Sequence, residues 1–188
     1  MKTMQQINEY ISPELQKANN IIGVNLAMFI AQSHHETMGF RRFMELTNYT
    51  SAEQLIKTFP KHFNTENVNR YLGQPIKIAS RAYSKRMGNG DEPSCDGYVY
   101  RGSGGLMLTG LADYIRFTKD IDPASIKPYY ADKIGKSKEL CLTSAIWVWH
   151  DKKLANCDVY TCTRRLNGGQ IGIEDRVKLF ESYRKIVK

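Results

Sequence analysis

The sequence predicts a mainly α-helical fold with at most a small β-hairpin, and three observations carry that expectation. Apolar residues recur at helical spacing over most of the chain, residues suited to helix caps precede those runs, and glycine or proline follows them. Strand-like character is confined to Tyr98-Val-Tyr100, between two glycine-rich stretches. A chain of 188 residues with 41% hydrophobic content can bury a sizeable core as one domain.

In chain order, Ile7 to Asn19 reads as a short helix broken at Ser12-Pro13, where Ser12 caps and Pro13 takes the first helical position. Asn20 to Thr37 is a longer helix with Ile22, Leu26, Phe29 and Ile30 on one arc, ended by a left-handed Gly39. Phe40 to Tyr49 has no clean period and reads as loop. Thr50-Ser-Ala-Glu53 is a capping box opening a helix to about Phe59, stopped by Pro60. Asn64 or Thr65 caps a short helix to Leu72, and Pro75 starts one to about Met87. Gly88 to Gly105 is a long turn-rich segment of the kind that is functional or mobile. Thr109 is expected to cap a helix to about Lys119, followed by an irregular stretch from Asp120 to Gly135. Three helices close the chain: Ser137 to about Lys153, Asp158 to about Leu166, and Ile173 to Val187.

Lys plus Arg (27) less Asp plus Glu (19) leaves a net charge of +8, which favours polyanions. No basic block, zinc-finger spacing or RNA-recognition signature is present, so nucleic acid is not expected as a partner. Cys95, Cys141, Cys157 and Cys162 form no Cys-x-x-Cys pair, and buried thiols are expected, with one or two disulfides in an oxidising compartment. Neither metal nor cofactor is expected. Ile21 to Ala31 is too short and is broken by Asn25, so stable membrane insertion is not expected. The start Met1-Lys-Thr-Met-Gln-Gln lacks the apolar core of a secretory signal, which leads to the expectation of a chain made in the cytoplasm.

The chemistry is sought among carboxylates. Glu36 shares its helical arc with Phe29 and Ser33, and a carboxyl group on a buried arc must be paired, hydrogen-bonded or protonated. Partial desolvation there would suit a general acid, and a rim position reaching water is the alternative. A zinc-protease motif fails because Gly39 stands where the second His belongs. A nucleophile elbow at Ser103 fails at Arg101, and a dinucleotide fingerprint from Gly102 fails at Met107. Glu45 lies nine residues beyond Glu36; one continuous helix would separate the pair by roughly 13.5 Å on opposite faces, so only a chain break lets them converge.

Ala31-Gln32, His35-Glu36-Thr37 and Gly39 resemble the catalytic segment of family 19 glycoside hydrolases, the chitinase-like fold, in their phage endolysin or lysozyme branch. The similarity continues in order through Asn48-Tyr49, Leu55 to Phe63, Arg86 to Asp91, Asp96-Gly97, Tyr100-Arg101-Gly102, Leu108-Thr-Gly110, Trp147 to Trp149, Arg164 to Gly169 and Asp175-Arg176. It implies a two-lobed, lysozyme-like helical fold around a cleft, forming a single catalytic domain over residues 1–188 with no separate wall-binding domain. It implies Glu36 as the acid that protonates the leaving oxygen, Glu45 as the base that activates water, and Thr109 as the residue holding that water. In inverting glycosidases such an acid and base stand about 6.5–9.5 Å apart. The resemblance also implies sugar contacts from Asn167, with a turn-forming role as the alternative. Arg176 would hold a carboxylate or be solvated. His35, Tyr98 and Tyr100 would touch sugar or pack, and Arg101 would ion-pair inside or meet an anionic sugar. The family reads Gln where Met107 stands, a departure that removes polar groups from one subsite.

The expected function is therefore a monomeric endolysin that cuts the β-1,4 bond between N-acetylmuramic acid and N-acetylglucosamine in peptidoglycan by inversion. It would lyse the wall after release across the membrane in the course of phage lysis. A chitinase and a non-catalytic wall-binding module are the alternatives.

Overall fold

The computed structural model describes residues 2–187, so Met1 and Lys188, the ends of the expected domain, lie outside the described residues. Among the described residues the helices are α1 (Met4–Tyr10), α2 (Pro13–Ala18), α3 (Gly23–Glu36), α4 (Ala52–Thr58), α5 (Pro75–Ala82), α6 (Asp96–Val99), α7 (Leu111–Ile121), α8 (Ala131–Gly135), α9 (Lys138–Asp151), α10 (Val159–Asn167) and α11 (Ile173–Arg184). The β structure amounts to two isolated antiparallel bridges, Met44 with Ser103 and Ser103 with Leu108. The expected mainly α fold is what the chain adopts. No helix among the described residues is long and apolar enough to cross a membrane.

Side-chain caps set several helix starts where the sequence places them. Ser12, Ser137 and Asp158 each accept a hydrogen bond from a backbone N–H of the first turn, and Pro13 occupies the first turn of α2. Elsewhere the chain differs from expectation. α1 begins earlier, because Thr3 and Gln6 form a reciprocal capping box. The cap of α4 is Ser51, not Thr50, and that of α7 is Gly110, not Thr109. The segment before Gly73 shrinks to a 3-10 turn, Val68–Arg70, because the Asn64 side chain accepts from the N–H groups of Glu66 and Asn67. α5 stops at Ala82, and Lys85 and Met87 beyond it have positive φ. Tyr98-Val-Tyr100 forms no strand: it belongs to the helical turn α6 and its cap.

The end of α3 also differs in detail. Gly39 does take a left-handed conformation, but the residue at the first position past the cap is Met38, with φ 50°. The Gly39 N–H donates to the His34 carbonyl (2.8 Å) and the Met38 N–H to that of His35 (3.2 Å), the paired bonds of a Schellman ending. Thr37 ties the turn together by donating to the Ser33 carbonyl and accepting from the Phe40 N–H.

The chain divides into two compact units. One comprises the chain up to Phe43, Gly104–Met107 and the chain from Ser137 onward; the other comprises Met44–Ser103 and Leu108–Lys136. In the first unit α3 packs along α11, and Phe29 meets the buried Trp149 edge-on with centroids 5.6 Å apart. The second unit is built on Leu55, Phe63, Val68, Ile78 and Ala82, flanked by Tyr49, Phe59, Tyr71 and Tyr83. Gly97 lets α6 lie against α5, since a Cβ there would come within 2.4 Å of the Ala79 carbonyl oxygen.

Asp158 caps α10 through the N–H groups of both Tyr160 and Thr161 and also accepts from the Thr161 hydroxyl. Asp158→Ala is expected to lower stability, read as a lower midpoint in urea with an unchanged slope.

Candidate active site

Within the first unit, Glu36 sits on the last turn of α3 with 19% of its side chain exposed. Its Oε1 accepts from Arg176 Nη2 at 2.5 Å. Arg176, on α11, is almost wholly buried, and its other donors are also used: Nη1 meets Gln32 Oε1, and Nε donates to the Ile171 carbonyl at 3.3 Å. Gln32 is itself fixed by donating to Thr163 on α10. One guanidinium therefore joins two helices and the 168–172 turn around a carboxylate. Removing one partner of such a buried pair typically costs about 3–5 kcal/mol.

His35 stands beside this pair, with Nδ1 2.6 Å from Asp175 Oδ2. Its ring lies against Gly172, where a Cβ would come within 2.3 Å of the imidazole. Gly172 also has φ 71°, so the position excludes a side chain on two grounds. A groove of about 470 Å³ lined by Gln170, Gly172, Ile173, Glu174, Asp175 and Lys178 opens next to it. Asn167, at the end of α10, is exposed and organises the adjoining turn: Oδ1 accepts from the Gly169 N–H and Nδ2 donates to the Ile171 carbonyl.

Within the second unit, Glu45 lies on irregular backbone pinned to the glycine-rich segment, its N–H donating to the Gly102 carbonyl at 2.8 Å. The carboxyl group accepts from the Tyr83 hydroxyl (2.7 Å) and the Gly102 N–H (3.2 Å). Burial pushes its pKa above the ordinary glutamate value, while those donors and the nearby Arg101 charge pull it back only in part. Burial and the Glu45 charge together push the Tyr83 phenol well up, which keeps it protonated as a donor. A Cβ on Gly102 would stand 3.3 Å from Thr109 Oγ1 and 3.5 Å from Glu45 Oε2. The bare glycine thus leaves the Thr109 hydroxyl and the Glu45 carboxylate flanking one point, as a water held by both would need.

The remaining candidates face inward. Arg101 is buried, pairs with Asp132 at 2.6 Å, donates to the Tyr98 carbonyl and stacks over the Tyr98 ring at 4.1 Å. Of its two sequence alternatives the structure builds the internal ion pair. Tyr98 is the face on which that guanidinium rests, and the half-buried Tyr100 ring tilts against Tyr114 at 5.4 Å. Met107 has φ 52° and is half-buried. Among the described residues no three His, Cys, Asp or Glu side chains gather as a metal site would require. Three supporting residues escape sequence reading: Gln32 and Asp175, which stand in the motifs without a role, and Tyr83, which carries no local signal at all.

No family model matches the chain. A curated protein of Haemophilus influenzae, named as a glycosyl hydrolase family 19 domain-containing protein, is 38% identical over 182 residues, covering 94% of this chain and 86% of the relative. The chain belongs to glycosyl hydrolase family 19. This family 19 member is accordingly a glycoside hydrolase, and Glu36 and Glu45 are two carboxylates in unlike surroundings, one clamped by a guanidinium and one half-buried beside neutral donors.

The raised pKa of Glu45 has a consequence for stability. Folding favours its protonated form, so its contribution is full below the unfolded glutamate value and is lost as pH rises through the raised folded value. At pH 7 the ionised group is a net cost. Glu45→Gln, whose amide oxygen accepts from the Gly102 N–H while its amide nitrogen donates to the Tyr83 hydroxyl oxygen, is expected to raise the thermal midpoint at pH 7 relative to the parent. The difference should vanish below about pH 4, where a carboxyl of ordinary pKa is largely protonated, and a difference independent of pH would contradict the assignment.

Proposed function

We propose that this family 19 enzyme is a peptidoglycan hydrolase of the muramidase type, working by inversion in the manner of a phage endolysin. The observation that carries the mechanistic reading is Glu45: a half-buried carboxylate oriented by Tyr83 and Gly102 beside the Thr109 hydroxyl, the equipment of a base that holds and activates water. Glu36 is assigned the opposite role. With Oε1 held by Arg176, the proton to be delivered is placed on Oε2 and given to the leaving glycosidic oxygen. Water activated by Glu45 attacks the anomeric carbon from the other face, so the configuration there inverts. Asn167 and His35 are assigned to the sugar's acetamido and hydroxyl groups, Tyr100 to a sugar face, and Arg101 and Arg176 to holding neighbouring groups in place.

The net charge of +8 supports an anionic wall polymer as substrate. Attraction of that kind weakens as salt rises, because the Debye length is about 8 Å at physiological ionic strength. The enzyme would act as a monomer, made in the cytoplasm and released across the membrane to the wall.

Glu36→Gln should lower the rate of turbidity clearing of purified walls by about 10²–10⁴-fold. The substitution also strips the buried Arg176 of its counter-charge, so rates are compared well below the variant's own unfolding midpoint. Clearing at the parent rate would remove Glu36 from the mechanism, and no clearing by the parent would leave a wall-binding module. In the pH profile, the acid limb of kcat/KM is expected above the ordinary glutamate value. Tyr83→Phe, which removes a hydrogen bond favouring the charged form, should move that limb to still higher pH.

A further inference from the structure

None of the four cysteines is in a disulfide, and two of them share one corner of the first unit. Asp158 is the N-cap of α10, which puts Cys157 immediately before the cap and Cys162 at the fourth helical position. Those two positions are the ones whose side chains meet when a helix entry is closed by a hydrophobic staple. Here the staple is made of sulfur. Cys157 Sγ donates to the Lys153 carbonyl and Cys162 Sγ to the Leu154 carbonyl, each at 3.5 Å, so both thiols address the same strip of backbone.

We propose that Cys157 and Cys162 form a reversible intramolecular disulfide that locks the entry of α10, with Cys157 as the thiol that meets the oxidant. Cys157 is half-buried and Cys162 fully buried, so a soluble disulfide reaches Cys157 first. Arg165 Nη1 lies 3.2 Å from Cys157 Sγ and also donates to the Lys153 carbonyl, holding the loop while exchange proceeds. With glutathione disulfide as oxidant, the Cys157 thiolate attacks one sulfur and expels one glutathione thiolate. Cys162 loses its proton to solvent and attacks the Cys157 sulfur, expelling the second. One protein S–S bond forms as the glutathione S–S bond breaks, two electrons pass to the oxidant, and the two protons lost by the cysteines are taken up by the two glutathione thiolates. Burial pushes the Cys162 thiol up to about 12, which makes closure the slow step and quickens it as pH rises. Cys95 belongs to the other unit, and Cys141 is buried within α9 with its thiol pushed up to about 11, so neither competes.

The test uses the whole folded chain, exposed to glutathione disulfide, quenched in acid, alkylated and digested with trypsin. Lys153 and Arg164 bound one peptide, 154–164, that contains both cysteines. The expected product is that peptide two hydrogens lighter and unalkylated, formed faster at higher pH through a transient glutathione adduct on Cys157, and accompanied by a higher thermal midpoint of the protein. Cys162→Ser should instead stop at the glutathione adduct, and Cys157→Ser should resist the oxidant. A wild-type adduct that persists at alkaline pH, a bond that uses Cys95 or Cys141, or a peptide alkylated at both thiols after oxidation would each overturn the proposal.

Discussion

The first unit is organised around a single buried cation. Arg176 is inserted from α11 with Glu36, Gln32 and the Ile171 carbonyl as its partners, and a guanidinium in that position must have all of its directions satisfied or be expelled to water. That requirement explains several otherwise separate features. α3 has to end at Glu36, so that the acid is on the last turn and still within reach of α11. The 168–172 turn has to present Ile171's carbonyl inward, which Asn167 helps to fix. Gly172 has to be bare, because His35 occupies the space a side chain would need. The acid, its holder and the neighbouring imidazole are thus consequences of one packing solution along α3 and α11.

The second unit treats its carboxylate in the opposite way. Glu45 is desolvated and surrounded by donors that carry no full charge in direct contact, a tyrosine hydroxyl and a peptide N–H, and its pKa rises. An acid and a base need opposite protonation states at the start of the reaction, so a Glu45 of raised pKa serves as a base only at a pH above that raised value. Ionising Glu45 at neutral pH therefore costs the folded state stability.

Much of the helical order was legible because helix starts are local chemistry. Ser12, Ser137 and Asp158 cap where they stand, since a side-chain oxygen two or three residues before an N–H needs no tertiary help. Thr50 and Ser51 are adjacent hydroxyl residues of like capping chemistry, and the helix starts from Ser51, which accepts from the Gln54 N–H. Tyr98-Val-Tyr100 has strand composition, yet Cys95 in a left-handed conformation and the close seat of Gly97 on α5 wind it into a turn of helix. Periodicity points to Glu36, and Glu45 follows as the carboxylate nine residues on that a chain break lets converge and that the resemblance makes the base, but their supports are not legible. Tyr83 reaches Glu45 over 38 residues and Arg176 reaches Glu36 over 140, and no local pattern records such a meeting.

The central claim, an inverting cut beside N-acetylmuramic acid, is tested most directly on the products. Purified peptidoglycan and chitin oligosaccharide would be digested in parallel, the fragments sized by mass spectrometry and the newly formed anomer followed by proton NMR before it mutarotates. The account predicts fragments from peptidoglycan carrying N-acetylmuramic acid at the reducing end, born as the α-anomer. Fragments born as the β-anomer, N-acetylglucosamine at the new reducing end, or release from chitin alone would contradict it.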